Sequence, residues 1–295
     1  MPGNQYDVIV IGGGHNGLIA GAYFAREGAR TLVLESRDRV GGAADTSAPF
    51  PNHPEIRVST YSYVMAVMPP GIIHDLELER HGYRIARVWG VTHPLADGRT
   101  IQLFNHDPKR TRESIAQFSK RDAETYPKWD AWMAEVAAVV GPLLTQVPPR
   151  VGSLALGDLL AQAQSAWKLR KLGARGVADL TRLFTMSITD LLDEWFESEE
   201  VKGTIAAGAV IGSWSGPDAP GTAYALLHHN IADVGDGAMN AWGYPHGGMG
   251  AVSEAIRRSA ESAGCKVRTG ARVAKILTES GRAKGVVLNN GDEFR

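Results

Sequence analysis

The feature that most constrains this chain is its first thirty-five residues. Val8–Ile11 is a short β-branched run that ends in glycines, as a buried parallel strand does. Leu18, Ile19, Ala22, Phe24 and Ala25 then recur at helical spacing up to Arg26, and Gly28 is placed to end the helix in left-handed backbone. Thr31–Leu34 is a second β-branched run, closed by Glu35. Strand, helix and strand at these lengths make a βαβ unit. Hydropathy alone would also admit a leader peptide or a membrane span here. Against that, Asp7 stands where basic residues belong, and Gly12, Gly13, Gly14, His15 and Asn16 interrupt the apolar run. No other window reaches 18 apolar residues without charge, so the expectation is a soluble, cytoplasmic protein.

Gly12, Gly14 and Gly17 fit GxGxxG, with Gly21 four residues further on and Glu35 eighteen residues after Gly17. The pattern gains meaning from its context of strand, helix and terminal acid. Gly12 permits a tight turn, Gly14 lets backbone approach a pyrophosphate, and Gly17 allows close packing of helix on strand. Free amides at the helix N-terminus then face the phosphates. Glu35 can accept hydrogen bonds from ribose hydroxyls, and its charge repels a 2′-phosphate, which favours FAD or NAD over NADP. The plainer alternative is a glycine-rich turn without a ligand.

Beyond Glu35 the sequence runs ESRDRVGGAADT, with Arg37, Arg39, Gly41 and Gly42. A GxGxxG unit followed by an acid, a basic residue and a glycine pair resembles the flavoprotein superfamily of amine oxidases and phytoene desaturases. Within it the chain most resembles the phytoene dehydrogenase-related oxidoreductases, the group that includes pyridine nucleotide-disulfide oxidoreductase domain-containing protein 2. The strings HNGL from His15, FSKRDAETYPKW from Phe118 and YPHGGMG from Tyr244 carry that likeness along the chain. The resemblance implies that Glu35 binds ribose, the amides around His15 and Asn16 the pyrophosphate, and Ser36 and Arg37 the adenosine end of FAD. It also implies that Gly41, Gly42 and Ala43 pass beside the cofactor and that the backbone of Val273 meets adenine. Ala43 stands where amine oxidases have Arg, which removes one charged phosphate contact and weakens the amine oxidase reading. The family's C-terminal segment, which returns to the flavin ring, is not in these 295 residues.

The rest of the chain reads as an insertion. With 44% hydrophobic and 21% charged residues the composition is that of an ordinary folded protein, and 295 residues suggest two lobes. The expected fold is therefore α/β: a discontinuous Rossmann-like FAD-binding domain (1–45 and 243–295) carrying a large inserted α+β substrate domain (46–242), C-terminally incomplete. Within the insertion a hairpin is expected at 89–104 around Asp97-Gly98, and a helical stretch at 111–144 broken near Pro127. Further helices are expected at 154–172 and 176–196. The return carries a helix at 250–263 and short strands at 267–268, 272–277 and 283–288.

A net charge of −1 gives no field to gather polyanions, so no nucleic-acid partner is expected. The lone Cys265 excludes an internal disulfide and reads as a small buried apolar residue. No HExxH, CxxC, EF-hand or GxSxG string occurs, so no metal site and no hydrolase elbow is expected. The glycines of VGDGAMN and GGMGAV have no third glycine at the right spacing and no β-branched strand before them, which argues against a second nucleotide site. His228, His229 and His246 could face a flavin, or serve only as turn and packing residues. Trp195, Phe196 and Trp214 read as core rather than substrate cage. Trp167, Lys168, Leu169, Arg170, Lys171, Leu172, Arg175 and Arg182 form a basic apolar segment, either a solvated face or a peripheral membrane contact.

What the resemblance implies is an FAD-dependent oxidoreductase of desaturase or dehydrogenase type. It would move a hydride from a small apolar substrate to flavin N5, with oxygen, a quinone or a nicotinamide as external electron acceptor. No catalytic residue is nominated. A flavin amine oxidase and a non-catalytic lipid or isoprenoid carrier on the same scaffold are the alternatives.

Overall fold

β1 (Val8–Ile11) and β2 (Thr31–Leu34) pair in parallel, Val8 opposite Thr31 and Ile11 opposite Leu34, with α1 (His15–Arg26) between them. All four residues of β2 are buried because both faces of the strand are covered. Leu32 and Leu34 join Ala271, Val286, Leu288 and Phe294 in one apolar cluster. Val33 points the other way, toward α1, where a Cβ on Gly21 would lie 2.7 Å from its Cγ2. The absence of a side chain at Gly21 thus sets how closely helix and sheet can meet. This is a computed structural model, and it describes residues 5–170 and 173–295.

The chain continues through β3 (Thr46–Ser47) and β4 (Val58–Ser59), an antiparallel pair, then α2 (Pro70–Asp75) and β5 (Ile85–Val88). A second compact unit follows, formed by Val88–Asp233 and Gly237–Ala241. It opens with the hairpin of β6 (Gly90–Pro94) and β7 (Thr100–Phe104), where the Asp97 carboxylate accepts the Arg99 amide in the turn. Helices α3 (Pro108–Ala116), α4 (Lys120–Val140), α5 (Leu156–Arg170), α6 (Gly173–Thr185), α7 (Ile188–Asp193), α8 (Glu199–Val210) and α9 (Thr222–Asn230) complete it. Their core holds Trp129, Met133, Leu183, Ile188, Leu191 and Leu227.

The string that begins at Phe118 has a structural purpose here. Ser119 caps α4 by accepting the Asp122 amide, and its hydroxyl donates to the Glu197 carboxylate at 2.7 Å. Asp122, with no exposed surface, accepts the amides of Glu197 and Ser198 at 3.0 and 2.9 Å, just ahead of α8. Two helix N-termini are interlocked by hydrogen bonds between residues 75 to 78 apart in the chain.

The expected break falls at 117–119 rather than at Pro127, and α4 runs through that proline. A proline removes one amide and crowds one carbonyl, a local cost that packing of Trp129 and Met133 outweighs. The helix expected over 176–196 is divided by Ser187, which caps α7. Trp195 and Phe196 lie against Trp129 in the core, whereas Trp214 is fully exposed, contrary to its core reading.

The return to the first unit is β8 (Trp242–Pro245), paired with β5, then α10 (Met249–Ser262), which packs on α1. β9 (Lys266–Arg268) adds in parallel to β2, giving the order β1-β2-β9. An antiparallel meander of β10 (Val273–Glu279), β11 (Arg282–Leu288) and β12 (Glu293–Phe294) closes the apolar cluster over β2. The first unit comprises residues up to Arg87, with Val234–Asp236 and Trp242–Arg295. Residues 46–87, expected in the insertion, therefore cluster with the first unit. Hydrogen bonds hold them there: the Gly250 amide donates to Thr46, and Met65 bridges Gly243.

Candidate functional site

The carboxyl ends of β1 and β2 lead into a cradle of backbone. Gly12 turns the chain at φ 106°, open only to a residue without Cβ. A Cβ on Gly17 would collide with the Gly12 carbonyl oxygen, so helix and turn are in direct contact. The Gly13 amide donates to the Glu35 carboxylate at 2.8 Å. Gly41 then passes beside Gly14 as a parallel bridge, its amide donating to the Gly13 carbonyl at 2.8 Å. Gly42, at φ 60°, brings its backbone so near that a Cβ there would lie 3.1 Å from the Gly14 Cα.

Gly14 differs from its neighbours. It is the N-cap of α1 with ordinary extended backbone (φ −68°, ψ 166°), and a Cβ on it would meet only Gly42 Cα at 3.8 Å. Neither conformation nor protein packing requires glycine there. No side chain caps α1 and no acid sits in its first turn, so the amides at His15, Asn16 and Gly17 are presented at an uncapped N-terminus. Helix α10, which also begins among glycines, behaves differently. At α10 the amides of Met249 and Gly250 donate to the hydroxyls of Ser59 and Thr46.

Glu35 is buried, and burial by itself disfavours its ionised form. The amides of Arg37 and Gly13, the Ser36 hydroxyl and the Arg37 guanidinium more than offset this, and together they hold its pKa below the usual carboxylate value. The backbone of Glu35 is fixed as well, its amide donating to Arg268 and its carbonyl accepting from Ala271 at 2.7 Å. The latter bond brings the start of β10, with Val273 two residues further on, to the end of β2. Val273 packs against the apolar cluster below Leu34.

Arg37, read as an adenosine contact, spans the second glycine loop. It lies 3.8 Å from the Glu35 carboxylate, donates to the Gly42 carbonyl at 3.0 Å and reaches Asp45 at 3.4 Å. Ala43 offers its carbonyl to the Ser62 amide. Asp45, not singled out in the sequence, is buried and accepts from Arg39 at 3.0 Å through both carboxylate oxygens; those bonds hold its pKa down despite burial. The acid six residues after Arg39 was the available signal, but nothing in the spacing says that the loop folds back on itself. Ser253 completes the fastening by donating to the Ala44 carbonyl.

The sequence leaves three histidines open as flavin neighbours. His229 Nδ1 lies 2.7 Å from the Gly208 carbonyl, and His228 packs beside Tyr224 and His229, where burial first and the neighbouring ring second lower its pKa. Both belong to the helical unit. His246 contributes a backbone amide to the Arg84 carbonyl. Among the described residues no cluster of three His, Cys, Asp or Glu could hold a metal.

The model of the NAD(P)-binding Rossmann-like domain family matches residues 10–74, the span from the end of β1 through α2. Pyridine nucleotide-disulfide oxidoreductase domain-containing protein 2 of Rattus norvegicus is 37% identical over 305 aligned positions, covering 99% of this chain. The chain is a homologue of that protein. It spans about half the length of the curated relatives it matches, 52% in the case of the rat domain-containing protein 2. A hydroxyneurosporene desaturase of Cereibacter sphaeroides is 27% identical across 96% of this chain and 53% of its own length. Among solved structures, a putrescine oxidase redesigned in its cofactor binding superposes with a TM-score of 0.58 at 17% identity, over 98% of this chain and 56% of that one. That likeness is one of fold, and it agrees with the match to the Rossmann-like domain family.

Proposed function

We propose that this chain holds FAD and serves an oxidoreductase of desaturase or dehydrogenase type acting on a small apolar substrate. The observation that carries the proposal is Gly14: a glycine demanded neither by its backbone nor by its protein neighbours, at an uncapped helix N-terminus beside a buried, ionised Glu35. A group that needs the missing Cβ volume, negative charge at the helix end and hydroxyls for Glu35 is a dinucleotide.

The residues fit that group. The α1 amides from His15 to Gly17 would neutralise the pyrophosphate, and Glu35 would accept from ribose while excluding a 2′-phosphate. Gly41 and Gly42 would let a second stretch of backbone pass alongside, held there by Arg37. Ser36 and Arg37 would border the adenosine, and the backbone of Val273 the adenine. Bound FAD supplies a hydride acceptor at flavin N5. The protein's own part is to hold, orient and desolvate. FAD is favoured over NAD by the second glycine pass, and a desaturase-type reaction by the curated desaturase relative. An external acceptor, whether oxygen, a quinone or a nicotinamide, would take the electrons on.

The test is spectroscopic. The purified chain should take up FAD and show visible flavin bands, and under anaerobic conditions an apolar polyene precursor should bleach them while amines do not. Bleaching by amines alone would move the protein to the amine oxidases. Isoprenoid binding without flavin uptake would make it a carrier.

A further inference from the structure

α5 is inside out. Leu156, Leu160, Ala163 and Trp167 recur at steps of four, three and four, which places them on one face of the helix. That face is turned to solvent: Leu156 is 74% exposed, Leu160 62% and Trp167 64%. The opposite side carries Asp158, Gln162 and Ser165, all less exposed than the leucines. Hydrogen bonds fix this orientation. Asp158 accepts the Arg150 amide at 3.4 Å, and Gln162 donates to the Arg150 carbonyl at 2.9 Å, so the polar side is tied to the preceding segment. Val151 and Leu154 in that segment are exposed as well. A helix that ties its half-exposed polar side to the preceding segment and turns its leucines to solvent leaves an apolar stripe uncovered, the kind of surface that marks an interaction site.

Charge identifies the partner. Across residues 144–178 the sequence holds Arg150, Lys168, Arg170, Lys171 and Arg175 against the single acid Asp158, in a chain whose net charge is −1. The side chains of Lys168 and Leu169, and all of Lys171 and Leu172, lie outside the described residues, and these lysines enter only as sequence. Arg170 sits over the Trp167 ring at 5.3 Å, a guanidinium stacked on an aromatic at the edge of the stripe. Leucines and a tryptophan on one face, with a local excess of basic residues beside them, suit the boundary between acyl chains and anionic headgroups. Among the described residues no helix is long and apolar enough to cross a membrane, so the contact is one that lies on the surface.

We propose that the α5 stripe docks this protein on an anionic lipid bilayer, with Leu156, Leu160 and Trp167 entering the headgroup boundary and Arg150, Arg170 and Arg175 meeting lipid charge. The proposal goes beyond the flavin reading and does not depend on it. Its test is sedimentation of the full chain with sucrose-loaded vesicles, of phosphatidylcholine alone and with roughly 30% phosphatidylglycerol added. Binding to the anionic vesicles is expected, falling with salt and at least about tenfold weaker to the neutral ones. The double variant L156Q/L160Q changes only exposed side chains; with unchanged circular dichroism it should lose about tenfold or more in vesicle affinity. R170Q/R175Q should lose about tenfold on anionic vesicles and little on neutral ones. Absence of binding to anionic vesicles, or undiminished binding of L156Q/L160Q, overturns the proposal. So does a dimer in solution that L156Q/L160Q dissociates while neither protein sediments with lipid, which would assign the stripe to a second copy.

Discussion

Replacing Gly14 with alanine separates a glycine kept for a ligand from one kept for the fold. On the protein side the added methyl meets Gly42 Cα at 3.8 Å, an ordinary contact, and φ −68° suits alanine. Alanine is a poorer N-cap than glycine by about 0.5 to 1 kcal/mol. Against this, it lowers the entropy of the unfolded chain by about 0.4 to 1 kcal/mol. The two nearly cancel, so the melting temperature should stay within about 2 °C of wild type. If the Gly14 backbone lies against a pyrophosphate, the methyl displaces it from two amide hydrogen bonds to charged oxygen. At about 1.5 kcal/mol each, that is about 3 kcal/mol, or roughly a hundredfold in FAD affinity. Gly17→Ala is the contrast: its methyl runs into the Gly12 carbonyl, and the overpacking should cost about 1 to 3 kcal/mol whether or not FAD is present. The assays are differential scanning fluorimetry of both apoproteins and a flavin fluorescence titration. A Gly14→Ala protein that melts normally and binds FAD as tightly as wild type would refute the reasoning.

Three further outcomes are expected. Because Glu35 has a lowered pKa in the fold, its ionised form contributes stability that is complete above its usual value of 4.5 and is lost as pH falls through the lowered one. Urea midpoints of wild type should therefore decline in acid more steeply than those of Glu35→Gln, and parallel declines would contradict the assignment. Asp122→Ala strands the buried amides of Glu197 and Ser198 and should destabilise the helical unit by about 2 to 5 kcal/mol, read in a urea melt; Asp122→Asn, which keeps one acceptor, should cost less. Cys265 has its thiol pKa pushed up to about 11, by burial first and then by the Glu261 charge. It should resist a thiol reagent at pH 8 in the native protein and react at once in urea; fast native reaction would show the site to be open.

The βαβ unit was legible because every signal for it is local. The β-branched runs, the glycines and the closing acid all lie within thirty-five residues, and backbone geometry alone converts them into a turn, a helix start and a parallel pair. Even the reach of Glu35 to Gly13 follows from two strands ending side by side. What the sequence hid depends on distant partners. Thr46 and Ser59 are unremarkable hydroxyls until α10 arrives roughly two hundred residues later and its amides need acceptors, which is why the expected domain boundary fell before Thr46. Nothing local sets Asp122 apart from the other acids of the helical stretch, and only the approach of the segment before α8 makes it a buried cap. Pro127 predicts a break from local chemistry alone, whereas packing of the long helix decides the outcome. Trp214 is the opposite case, an aromatic whose residue type predicts core and which its turn leaves in solvent.

Ligand competition tests the cradle around Gly14 and Glu35 most directly. FAD and NADP⁺ are titrated separately, and then against each other, into the purified chain by isothermal calorimetry. FAD is expected to bind one to one and NADP⁺ at least about a hundredfold more weakly, since its 2′-phosphate must approach the ionised Glu35. Tighter binding of NADP⁺, or no saturable heat with FAD, would contradict the assignment.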